Sequence, residues 1–155
     1  MLLAACWAVV AVAEPRIVHR VIEPSDFARA SEALQDAIES QGLIPGPRSQ
    51  FGEMLARTAP ALGNPAPVFA QAEIFSFCSA QVSWALVLEN PESIAYCPLH
   101  VALYTAPGAP ERVHLVYHDP GPATAGTRRA SDLLHAIAEA AASQARRFVP
   151  ASTPR

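Results

Sequence analysis

The stretch Ala72–Tyr104, AEIFSFCSAQVSWALVLENPESIAYCPLHVALY, changes its period twice, and those changes set the fold class. From Ala72 to Cys78 the side chains alternate, with Ile74, Ser76 and Cys78 opposed to Glu73, Phe75 and Phe77. Period two with aromatic and β-branched residues predicts a strand. Ser79 then offers an N-cap hydroxyl, and Val82, Ala85, Leu86 and Glu89 follow at helical spacing. Trp84, Val87 and Leu88 make this helix apolar on most sides, so it is expected to be largely buried. Asn90-Pro91 ends it, because the residue before a proline avoids the helical region. Leu99, Val101 and Leu103 alternate again in a second strand, with Pro98 at its entrance. Cys78 leaves the first strand and Cys97 precedes the second. They can meet if the connection folds back, and they lie at opposite ends if the strands run parallel and adjacent.

The rest of the chain extends this alternation of strand and helix. Arg16–Ile22 alternates and predicts a first strand, with Ile17, His19 and Val21 on one face. Pro24-Ser25 breaks it, and Ser25 can cap a helix marked by Phe27, Ala30, Leu34, Ala37 and Ile38, with Gly42 beyond its end. Prolines interrupt Leu43–Gln71, which reads as a long connection holding a short helix through Phe51, Met54, Leu55 and Thr58. After Tyr104, the turn Ala106–Pro110 and the alternating run Arg112–His118 predict a β-hairpin. Asp119-Pro120-Gly121-Pro122 ends it. Leu133, Leu134, Ile137, Ala138, Ala141 and Ala145 mark a last, alanine-rich helix with Asp132 near its start. The order strand, helix, connection, strand, helix, hairpin, helix predicts an α+β fold with helices on one face of a mostly antiparallel sheet.

Composition bounds the function. Apolar residues are 51% and charged residues 16% of 155, enough apolar content for one packed domain over 14–149. The net charge is −3 without a basic patch, which argues against nucleic acid as a partner. Met1–Ala13, MLLAACWAVVAVA, is apolar, too short to span a bilayer, and ends in an Ala-x-Ala cleavage pattern before Glu14. It reads as a signal peptide, which predicts export to the periplasm or the exterior. The alternative is a lipoprotein anchored at Cys6 through Leu3-Ala4-Ala5-Cys6. The tail 150–155 is expected to fray.

Phe77-Cys78-Ser79, the apolar helix ending at Asn90-Pro91, Tyr96-Cys97-Pro98 and the strand ending Tyr117-His118-Asp119-Pro120 together resemble the family known as domain of unknown function 302. The resemblance is to the subgroup with both Phe-Cys-Ser and Cys-Pro signatures, and it runs from Arg16 to Pro120. It implies a small α+β domain, often dimeric, and it implies no established activity.

Cys78 and Cys97 permit three readings. One is a structural disulfide closing a loop of about twenty residues, for about 3 kcal/mol; the others are a redox or ligand-binding thiol pair, and two unpaired buried thiols. An exported protein with two remaining cysteines favours the disulfide. In the hairpin, His100, Tyr104, His114 and His118 share one face. With His100 opposite Val116, His114 and His118 would be its diagonal neighbours, and His100, His114 and His118 become candidate metal ligands; a solvated sheet face is the plainer alternative. No nucleophile elbow, phosphate loop, dinucleotide fingerprint or His-Glu-x-x-His motif occurs, so no catalytic residue and no cofactor is assigned. The resulting expectation is an exported, non-enzymatic binding or accessory module acting on a ligand or protein partner. Its rivals are a periplasmic thiol-redox protein and a dimeric structural module.

Overall fold

The computed structural model describes residues 16–64 and 67–147. The segment 1–13, read above as a signal peptide, and the tail 150–155 lie outside them. Four strands form one sheet in the order β1-β4-β3-β2: β1 Arg16–Ile22, β2 Gln71–Phe77, β3 Leu99–Thr105 and β4 Val113–Asp119. Every neighbouring pair is antiparallel, so the sheet is fully antiparallel. The helices are α1 Phe27–Ser40, α2 Phe51–Thr58, α3 Ala80–Glu89 and α4 Ala125–Arg147. Short 3₁₀ turns follow α2 at Pro60–Leu62 and α3 at Pro91–Tyr96.

One sheet face makes the core. Phe75, Phe77, Leu99, Val101, Leu103, Val113, Leu115 and Tyr117 are buried there. Leu34 and Ile38 of α1 and Leu134, Ile137, Ala138 and Ala141 of α4 cover them. The two helices pack on each other, and their small residues Ala30, Ala37, Ala141 and Ala145 are buried with them. Asp26 caps α1, accepting the Arg29 N–H at 2.8 Å, in place of the expected Ser25. The extended backbone of Asp26 and its carboxylate suit that position.

Two features differ from the sequence reading. First, α3 is not largely buried: only Val82 and Leu86 are, while Trp84 and Leu88 are 64% and 76% exposed. A two-layer domain offers a short flanking helix one neighbour, here α4, so its outer side stays in solvent whatever its composition. Second, α4 starts at Ala125, ahead of its first periodic leucines. The Thr124 hydroxyl accepts the Thr127 N–H at 3.1 Å, and the Glu89 carboxylate from α3 accepts the Gly126 N–H at 3.0 Å. A terminus capped from another element leaves little trace in local sequence. The connection after α1 packs on the domain, as a long ordered connection is expected to. Residues 45–49 bridge to the free edge of β2 at Pro45–Phe77 and Ser49–Ile74. Arg48 fixes the segment, donating to Ser31 Oγ at 3.0 Å and Gln35 Oε1 at 2.6 Å, with its guanidinium 4.8 Å over Phe75. Ser31 in turn donates to Glu73 Oε2 at 2.7 Å. The short helix predicted through Phe51 and Thr58 is α2, which packs on β2.

Candidate functional site on the open sheet face

Alternation sends the even-numbered residues of β2, β3 and β4, and Ile17, His19 and Val21 of β1, to the face opposite α1 and α4. Its β2 corner is covered by Phe69, whose ring centroid is 5.1 Å from that of Tyr104, with Phe51 of α2 behind it at 6.4 Å from Phe69. Four of the chain's five histidines stand on this face: His19, His100, His114 and His118. The fifth, His135, is on α4 beside Arg20.

The register decides which of them meet. His114 lies between Val21 and Tyr104, and His118 pairs with Ile17. One step beyond the Val101–Tyr117 pair, His100 and His118 stand opposite each other. The hairpin is therefore shifted two residues from the register in which His100 faces Val116. His100 and His118 come together as a cross-strand pair, and His114 turns to other partners. Tyr104 stacks on His114 with centroids 4.5 Å apart and planes at 5°. His114 Nδ1 and His19 Nε2 are 2.8 Å apart, so one ring donates an N–H to the other. Their centroids are 5.0 Å apart and their planes 14°, the geometry of two rings side by side in nearly one plane. Burial first, and the His19 imidazole second, hold His114 below the usual imidazole range. Among the described residues no three His, Cys, Asp or Glu side chains are grouped to hold a metal ion.

At the other end of the face is a hollow of about 330 Å³, lined by Tyr96, Pro98, His100, His118 and Pro120. Tyr96 comes from the 3₁₀ turn before β3; its ring is 6.4 Å from that of His118, with planes at 18°. Sequence reading missed Tyr96 and His19. Tyr96 sits in a turn without periodicity, and His19 reaches His114 only because β1 pairs with a strand about a hundred residues away.

The antiparallel pairing of β2 with β3 keeps Cys78 and Cys97 at the same end of that ladder. No disulfide joins them in this structure. Cys78 is exposed and borders an open apolar hollow of about 520 Å³ with Leu43, Pro47 and Pro98. Cys97 is half-buried, its Sγ 3.4 Å from Ser83 Oγ of α3.

Fold and face define a small two-layer α+β domain with one sheet surface left open and lined by imidazole and phenol rings. The chain belongs to the family Domain of unknown function DUF302, whose model matches residues 19–151. No curated protein matches it. Its fold is similar to that in the crystal structure of an uncharacterized conserved DUF302 protein from Bacillus stearothermophilus. That likeness has a TM-score of 0.63 at 15% identity, covering 84% of this chain and 98% of that one. No helix among the described residues is long and apolar enough to cross a membrane.

Proposed function

We propose that this protein is a non-enzymatic binding or accessory module, exported to the periplasm or the exterior, whose working surface is the open sheet face. One observation supports this above others: four of five histidines stand on the face that the core does not use, where His19, His114 and Tyr104 form one ring cluster and Tyr96 and His118 another. Apolar ring walls with a few placed polar groups are what small-molecule sites are made of. Equilibrium dialysis of the protein against a small-molecule extract of its producing cells tests the reading. Compounds retained by wild type and by His135→Ala, but not by His100→Ala/His118→Ala, support it; retention of nothing, or of the same compounds by all three, refutes it.

Export rests on the apolar run Met1–Ala13 and its Ala-x-Ala end. The Cys78–Cys97 disulfide belongs to the same reading and is favoured by the shared ladder end. A second reading, a thiol pair that cycles between bonded and free forms, is favoured by the exposure of Cys78. Thiol titration under air separates them. One stable disulfide supports the structural role, and two thiols that interconvert readily with a mild reductant support the redox role.

A further inference from the structure

We propose that the hollow between Tyr96 and His118 is a seat for a planar aromatic ring carrying a carboxylate, with the two rings as walls and His100 as polar handle. The inference rests on the open face being the binding surface and gives it a ligand class. Three observations lead there. The Tyr96 and His118 rings are near-parallel, at 18°, with centroids 6.4 Å apart. At 6.4 Å the centroids are well beyond the separation of about 3.5 Å at which stacked carbon atoms pack, so neither ring fills the other's stacking face, and both line the same hollow.

The size of that hollow, about 330 Å³, is at the small end of ligand pockets, which suits one ring or two fused rings. Pro98 and Pro120, at its sides, are rigid and apolar.

The third observation is its polar lining. His100 and His118 stand opposite each other across β3 and β4 and are the titratable groups of the hollow besides the Tyr96 phenol; no carboxylate lines it. The nearest acid in sequence, Asp119, is engaged elsewhere, accepting from Ser131 Oγ and the Gly121 N–H and paired with Arg16 at 3.5 Å. An imidazole offers a ring N–H in either protonation state. The His100 donor, with no competing acid in the lining, selects a guest with acceptor oxygens. A carboxylate on the ring edge meets His100 while the ring lies against the walls.

The test compares two acids of like charge and size, benzoate and cyclohexanecarboxylate, titrated into wild-type protein with isotope-labelled aromatic side chains. NMR follows the Tyr96, His100 and His118 ring signals. Stacking contributes beyond area burial, so benzoate should bind about tenfold tighter. Tyr96→Leu, which keeps an apolar side chain in the turn, should erase that preference, and Tyr96→Phe should keep it. Equal binding of both acids at His100 and His118 would show that charge alone acts there. That result overturns the ring seat and leaves the open face as a binding surface. Absence of saturable shifts in these rings with either acid also overturns the ring seat; the dialysis experiment then judges the wider reading by itself.

Discussion

Gly126→Ala should destabilise the protein, although alanine is the better helix former. Gly126 is the second residue of α4, and the helical preference alone would favour alanine by at most about 1 kcal/mol. The packing opposes it. A Cβ built on Gly126 lies 2.8 Å from the Ala85 carbonyl oxygen, 2.9 Å from its carbon and 2.9 Å from Glu89 Oε2. The carboxylate can swing aside, at the cost of the hydrogen bonds that cap α4. The backbone of α3 cannot move without disturbing the buried Val82 and Leu86. Against backbone this overpacking takes the upper part of its range, about 2–3 kcal/mol, and with the helical gain of about 1 kcal/mol subtracted the net loss is about 1–2 kcal/mol. Urea denaturation followed by far-ultraviolet circular dichroism reads it as a midpoint about 0.5–1 M lower, for the usual slope of a domain this size. A midpoint equal to or above wild type would refute the close approach of α3 to α4.

Leu34→Ala, at a fully buried site under the sheet, should cost about 2–5 kcal/mol in the same assay; an unchanged midpoint would mean that α1 does not build the core. Trp84→Ser should change stability by no more than about 0.5 kcal/mol, because the ring is mostly in solvent. A loss several times larger would show that α3 is covered in solution. His114 is held below the usual imidazole range, so its stabilising contribution is present above about pH 6.5 and is lost as pH falls through its lowered value. Denaturation midpoints at pH 7.5 and 5.5 should differ more for wild type than for His114→Ala, and equal differences would count against the His19–His114 pair. Two carboxylates titrate later. Hydrogen bonds from Thr124 and Gly126 lower Glu89; burial pushes Asp119 up, but Ser131, Gly121 and Arg16 outweigh it. Both contribute stability above about pH 4 that is lost as pH falls further, so Glu89→Gln should flatten the acid limb without moving the limb between pH 7.5 and 5.5.

Local signals in the sequence carried the elements well. Alternation at Ala72–Cys78 and Leu99–Leu103, and the apolar face through Leu34 and Ile38, correspond to β2, β3 and α1, because each buries a single face and so shows its period. Sheet order is a non-local property. The pairing of Arg16–Ile22 with β4, and with it the meeting of His19 and His114, leaves no local mark. The hairpin register slipped by two residues in the reading because Gly108 and its neighbours form a turn whose length is not encoded by alternation, and a shift of two preserves every face. Alternation therefore puts the histidines on the correct face without fixing their partners. The start of α4 was missed because Glu89, thirty-seven residues away, supplies part of its cap.

Imidazole-resolved NMR of the labelled protein, with and without the small-molecule extract of its producing cells, examines the open face directly. Ligand binding there shifts the ring signals of His100 and His118 to saturation and leaves those of His135, on the helical side, in place. Shifts confined to His135, or none at any histidine, would contradict binding at that face.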